Sequence, residues 1–401
     1  MTRRLHNDCP ASPLGRLHRL DGLRGLLAVY VMLGHIAPFI PWPPLLGRIV
    51  EALVSHGLAG VDLFFALSGL VIVQSMSRFE GRVTAFLAAR ARRLLPVYFV
   101  VLIFAIVVLA GPSPFAVMPW LHPGDPAHQI WQAGLPRPLW VHVAVHATLL
   151  QGMIPQGLLP DAEFALLGPA WSLSTEWQFY VVIAVLMAWA GGDRRGLTRL
   201  TLLGLAVAVV SRCYAGLAPF GWQFPRAFLP NEAAYFAIGI AAARMWRGGG
   251  VGLMGMSVVI AMLLGASHAS GLAMLGKALP PLIWVIAIAA QRTPRFSLVR
   301  PVAWVLDHPA MLWLGAISYP LYLVNEPVGR GLAVVIGRMT ASDPVMFSLL
   351  WGPLTLAMSI GAAAILHYAI ETRFMRRRMA SVSLPAAAPG AGSSSSGRVA
   401  G

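Results

Sequence analysis

Apolar residues run along the chain in blocks of about 20, the length a helix needs to cross roughly 30 Å of hydrocarbon. Such blocks lie near 23–40, 53–76, 94–111, 171–190, 198–214, 229–246, 251–268, 274–290, 312–335 and 345–369. They predict an all-α, polytopic membrane helix bundle of about ten transmembrane helices. A further block, 138–155, is shorter and is bracketed by Pro138 and Pro155. It is predicted to be a re-entrant or interfacial segment inside a long outer stretch, 111–169, that is rich in Pro, Trp and His. A loop of that length usually carries function.

Composition supports the membrane reading: 57% of the 401 residues are hydrophobic and 11% charged, with a mean hydropathy of +0.70. In a soluble protein the net charge of +15 would point to nucleic acid. Here all the basic residues but Lys277 are arginine, and they cluster between the apolar blocks as cytoplasmic membrane loops do. No nucleic-acid partner is expected. With ten crossings, the cytoplasmic loops take most of the 30 basic residues, among them Arg3, Arg4, Arg16, Arg78, Arg82, Arg194, Arg195, Arg295, Arg376, Arg377, Arg378 and Arg398. The outer side keeps Arg48, Arg137, Arg212, Arg226, Lys277, Arg330 and Arg338. Counting 138–155 as a full span would spoil this partition, so both termini are placed in the cytoplasm. The expected organisation is a cytoplasmic segment 1–20, one membrane domain 21–378 and a low-complexity, disordered tail 379–401. No cleaved signal is visible, so the first span is expected to direct insertion. Cys9 and Cys213 form no metal or redox spacing.

The first block, "RLDGLRGLLAVYVMLGHIAPFI", keeps Arg24 and His35 eleven residues apart. On a helix that is about 20° beyond three full turns and about 16.5 Å of rise, so both share one face. Ionisable residues within a span normally face the bundle interior or a wet cavity. The competing reading has Arg24 snorkelling to headgroups and His35 as a packing residue. Further polar positions sit in "GVDLFFALSGLVI" (Asp62, Ser68), in "FLAARARRLLPVYFVVL" (Arg90, Arg92 and Arg93, just before the third span) and in "GPAWSLSTEWQFYVV" (Ser172, Ser174, Glu176).

Taken together these segments resemble the acyltransferase-3 family of membrane acyltransferases, which move acyl groups onto sugars and other acceptors. Members open with an arginine and, ten residues between, a histidine, as Arg24 and His35 stand here. They carry an R-x-x-R pair after the second span, matched by Arg90 and Arg93, together with "FF-x-LSG" and "WSLS-x-E" blocks, matched by Phe64 to Gly69 and Trp171 to Glu176. The resemblance runs from Arg19 to about Met375. It implies a multi-pass enzyme of the cell membrane that holds no permanent cofactor and uses acyl-CoA, acetyl-CoA by analogy, as donor. The implied acceptor is a hydroxyl of a glycan, glycolipid or small molecule. The hydrolase-like extension that some members carry is expected to be absent.

The chemistry of the residues fits that implication. Acyl transfer from a thioester to a hydroxyl needs a base, and neutral imidazole titrates near neutral pH, which makes His35 the candidate. Asp62, in the outer part of the adjacent span, is a candidate to orient the His35 ring; the alternative is a solvated carboxylate. Arg90, Arg92 and Arg93 suit the phosphates of a cytoplasmic donor, because guanidinium forks match phosphate oxygens; otherwise they are a topology signal touching anionic lipid. Arg24 and Glu176 join the catalytic set. For Glu176 and Ser172 the competing reading is helix-start chemistry, with Ser172 as N-cap.

Ser172, Ser174, Tyr322 and Asn325 are assigned to the acceptor. The block "ISYPLYLVNEPV" is similar to the family's "SY-x-x-YL-x-H-x-P", but Asn325 stands where a histidine is usual. Asparagine cannot exchange a proton near neutral pH, so a positioning role is expected for it. His142 and His146 share a helix face, yet no third ligand joins them and no metal is expected. Two other function classes fit the same pattern: a transporter or flippase of a glycoconjugate, which would lack acceptor-dependent thioester cleavage, and a haem sensor on the His142 and His146 pair, which would show an absorption band.

Overall fold

The computed structural model describes residues 17–54, 57–132, 134–267, 272–294 and 296–375. Arg3, Arg4, Arg16, Arg295, Arg376, Arg377, Arg378 and Arg398, and the tail expected to be disordered, lie outside the described residues. The described residues form helices joined by turns and irregular loops, with no strand among them. The helices are α1 (His18–Ile36), α2 (Pro44–Val54), α3 (Gly57–Ser77), α4 (Val83–Leu109), α5 (Pro126–Ile130), α6 (Leu139–Ala147) and α7 (Ala170–Ala190). After these come α8 (Arg194–Leu217), α9 (Leu229–Trp246), α10 (Gly252–Ala266), α11 (Leu272–Arg292), α12 (Arg300–Leu306), α13 (Pro309–Met339) and α14 (Pro344–Leu366), the last continued by a π turn over His367–Glu371.

Each apolar block of the sequence falls on one of these helices. Six helical stretches, those built on α1, α3, α4, α7, α8 and α14, are long and apolar enough to cross a membrane. The remaining blocks fall short for visible reasons. Helix α10, with 15 residues, and the Ala278–Arg292 part of α11 are apolar but shorter, and α9 and α13 carry charged residues such as Glu232 and Arg330. Helix α6 has nine residues, about 13.5 Å at helical rise, less than half a bilayer core.

Two boundaries differ from the sequence reading. Helix α4 starts at Val83 rather than near residue 94, so Arg90, Arg92 and Arg93 lie within the helix and not before it. Hydropathy registers apolarity and not backbone hydrogen bonding, and an arginine-rich first stretch is good helix material. The block near 53–76 is shortened at its start by the separate α2, an amphipathic helix with no buried residue.

The helices pack by very close approach. Helix α1 lies parallel to α13 and in its most extensive contact. A Cβ at Gly25 would stand 2.2 Å from the Met311 carbonyl oxygen, so only glycine fits. Helix α3 meets α9 the same way: a Cβ at Gly239 would stand 2.0 Å from the Ala66 carbonyl oxygen. Between membrane helices, where water expulsion contributes little, such small-residue contacts let the backbones approach and gain dispersion. The segment after α4 folds back on the bundle, with Trp131 packed 3.8 Å from Phe39 and 6.0 Å from Trp351, centroid to centroid.

Candidate active site

Parallel packing of α1 and α13 brings His35 to Asn325. His35 Nδ1 is 2.8 Å from Asn325 Oδ1. The Asn325 amide is fixed by its own donors: Nδ2 gives hydrogen bonds to the Leu321 carbonyl oxygen at 3.2 Å and the Tyr322 carbonyl oxygen at 2.6 Å. Its oxygen therefore faces the imidazole and accepts from Nδ1–H, which leaves the lone pair of neutral His35 on Nε2. The contact expected from Asp62 is supplied by Asn325 instead. Asp62 is buried and paired with Arg226, Nη2 to Oδ1 2.5 Å. A carboxylate at 3% exposure needs a cation more than it needs a neutral ring.

Towards the end of the bundle where α1 begins, a cavity of about 70 Å³ is lined by Arg24, Ser68, Arg90, Arg93, Glu176, Tyr180 and Tyr319, among others. Arg90 and Arg93, at i and i+3, share a face of α4. Arg92 falls on another face, is exposed and does not line this cavity. Arg90 Nη2 donates to Ser75 Oγ at 2.5 Å, and its guanidinium lies 5.4 Å from the Phe86 ring and 5.7 Å from that of Tyr180. Glu176 accepts from Ser68 Oγ at 2.7 Å and from the Tyr180 hydroxyl. It therefore reaches into the bundle and is not a helix-start residue. Helix α7 begins at Ala170 with Pro169 as its cap, so Ser172 is not the N-cap.

A second cavity of about 60 Å³ shares Arg24, Glu176 and Tyr319 with the first and is bounded further along by Phe64, Ser172 and Tyr322. Arg24 makes no hydrogen bond or ion pair to another described residue and stands at the junction of the two cavities. Ser172 Oγ is 3.0 Å from the Tyr322 hydroxyl and 3.2 Å from the Pro169 carbonyl oxygen. Ser174, assigned to the acceptor from sequence, is elsewhere: its hydroxyl donates to the Leu149 carbonyl oxygen at 2.6 Å and accepts from Gly152 N–H at 3.2 Å. It pins the loop at Leu149 and Gly152 to α7 and lines neither cavity. His146, inward on α6, contacts the Ala162 carbonyl oxygen through Nε2 at 2.9 Å.

Sequence reasoning missed two groups. Arg226, read there only as one of the outer cations, bridges Asp62 and Glu232, with Nε 2.7 Å from Glu232 Oε1 and the guanidinium 5.2 Å from the Trp171 ring. Nearby in the stretch between α6 and α7, Glu163 Oε2 accepts from Ala227 N–H at 3.0 Å. Burial pushes the Glu163 carboxyl above its usual range, against the pull of that hydrogen bond and of Arg226. The other group is His367 and Glu371, whose i, i+4 spacing at the end of the last block was the available signal.

A family model described as an acyltransferase domain matches residues 17–368. "Protein 2 in picA locus" of Rhizobium radiobacter is 31% identical over 209 residues, covering 50% of this chain and 94% of that protein. "Acyltransferase MdmB" of Streptomyces mycarofaciens is 25% identical over 402 residues, covering 90% of this chain and 92% of that protein. No solved structure matches the chain significantly. The chain belongs to the acyltransferase-3 family and is a membrane acyltransferase.

Proposed function

We propose that the protein is an O-acyltransferase of the cell membrane that moves an acyl group, acetyl by analogy, from cytoplasmic acyl-CoA to a hydroxyl of a sugar, glycolipid, polysaccharide or related acceptor. The observation that carries this reading is the His35–Asn325 pair, which leaves Nε2 as the proton acceptor. His35 Nε2 takes the acceptor hydroxyl proton as that oxygen attacks the thioester carbonyl carbon. The C–S bond then breaks, the thiolate leaves with its electron pair, and the imidazolium returns the proton to sulfur, giving an ester and free CoA. Water must be kept from the same carbon.

Arg24, Arg90 and Arg93 suit the donor's phosphates. Arg24 and His35 are separated by about 16.5 Å of helix rise, too far for both to act on one carbonyl. A donor whose phosphates and thioester are joined by a long arm, as in CoA, reconciles the two; the linked cavities lead from Arg90 and Arg93 past Arg24 as far as Tyr322, and His35 lines neither of them. Ser172 and Tyr322 are then placed to meet the acceptor or the donor arm.

Arg90→Ala combined with Arg93→Ala is expected to weaken acetyl-CoA binding by about 100-fold, at roughly tenfold per lost charge-assisted contact. Titration calorimetry of the detergent-purified protein reads this directly. If binding is unchanged, or only the dependence on acceptor shifts, the donor site has been misplaced. Mass spectrometry of surface glycans and lipids from cells with and without the gene, seeking a discrete acyl mass difference, identifies the acceptor.

A further inference from the structure

Helix α14 stays α-helical to Leu366 and then widens into the π turn His367–Glu371. Such a turn admits one additional residue and swings the downstream side chains by about 100°, and it recurs at functional sites. Here it delivers Glu371 to the side of α4. The carboxylate is 2% exposed, and both of its oxygens are engaged. Oε2 is 2.8 Å from His367 Nδ1, and Oε1 is 3.4 Å from Arg93 Nε.

Resting on the donor reading given above, we propose that Glu371 is a positioning residue of the donor site. It holds the Arg93 guanidinium by its Nε edge, so that the Nη edge faces the cavity that also contains Arg24 and Arg90; His367 orients Glu371 in turn. Three features support this. First, Arg93 lines the cavity while its Nη atoms hydrogen-bond no described residue, so the fork is left for a ligand. Second, Arg90 is held by other means, through Ser75 and two aromatic rings. Arg93 therefore depends on Glu371 for a fixed direction. Third, α4 is tied to α13 at this level by the Tyr319 hydroxyl, which donates to the Leu94 carbonyl oxygen at 2.7 Å, so the backbone carrying Arg93 is already fixed and its side chain is what Glu371 decides. A carboxylate beside a phosphate site opposes anion binding by charge alone. Its benefit is geometric: a bidentate fork binds well only when pre-aimed.

The test uses the purified full chain. Glu371→Ala is expected to raise the acetyl-CoA KM about tenfold, the effect of mis-aiming one charge-assisted contact, with kcat within about threefold. Glu371→Gln, which keeps an oxygen for Arg93 Nε, is expected to recover most of that loss. A merely structural glutamate would lower the yield of folded protein and leave the KM of what remains unchanged. Should Glu371→Ala fail to fold, His367→Ala reads the same chain of contacts and is expected to raise the donor KM about threefold. An unchanged or lowered donor KM in the readable variant, or equal effects of Ala and Gln, would overturn the proposal. Arg93→Ala separates the levels. If it leaves acetyl-CoA binding unchanged, the donor reading itself fails; if it weakens binding while Glu371→Ala does not, only the role of Glu371 fails.

Discussion

His35→Ala is expected to lower acyl transfer by about 10² to 10⁴-fold, the range for removing a general base, with no loss of membrane insertion. Alanine makes α1 no less apolar, and His35 is part-buried at the helix end, so the bundle keeps its packing. His35→Asn should fail equally, because it restores hydrogen bonding without a titratable nitrogen. The neighbouring position behaves differently. Asn325→Leu removes the acceptor that fixes the ring and its tautomer and is expected to reduce kcat. Asn325→His should keep most activity and add no new ionisation to the pH profile. A well-inserted His35→Ala variant with near-parental turnover would end the base assignment; an Asn325→Leu variant as active as the parent would remove Asn325 from the site.

Arg226→Ala is expected to destabilise the bundle by about 3 to 5 kcal/mol, the cost of breaking a buried ion pair by removing its cation. The arginine is the shared cation of two carboxylates, Asp62 and Glu232, each 3% exposed. Its loss removes the shared cation from two buried carboxylates. Arg226→Lys should recover only part of this, since one ammonium does not reproduce the two fixed donors, Nε and Nη2, that reach the two carboxylates. Thermal unfolding of the detergent-solubilised protein measures the difference. A melting midpoint equal to the parent's would mean that water already supplies what Arg226 is credited with.

Periodic and short-range features were legible in the sequence. The shared face of Arg24 and His35 follows from helical spacing alone, and the apolar blocks mark where helices lie because apolarity is what a bilayer selects. Partner choice was not legible. Asp62 lies one helix away from His35 in sequence, yet pairs with Arg226, 164 residues on. No local pattern encodes which of several distant cations meets a given carboxylate. Ser174 shows the same limit in reverse. It shares a motif with Ser172, but a step of two residues turns it to another side of α7, where it serves the loop over residues 149–152. For Arg92 the limit was hydropathy, which merged a helical stretch with the loop before it and hid that only Arg90 and Arg93 of the three share a face.

The contact between His35 and Asn325 joins positions 290 residues apart. At about 5 to 20 residues per second the ribosome needs about 15 to 60 s to make the intervening chain. For that time α1 lies in the bilayer with its glycine-lined face uncovered and its histidine unpaired, since the helix that completes it is among the last to be synthesised. The pairing of the first helix with the thirteenth therefore cannot form until nearly the whole chain has been made. A chain that stops between α1 and α13 keeps His35 but lacks Asn325, the side chain that its ring contacts.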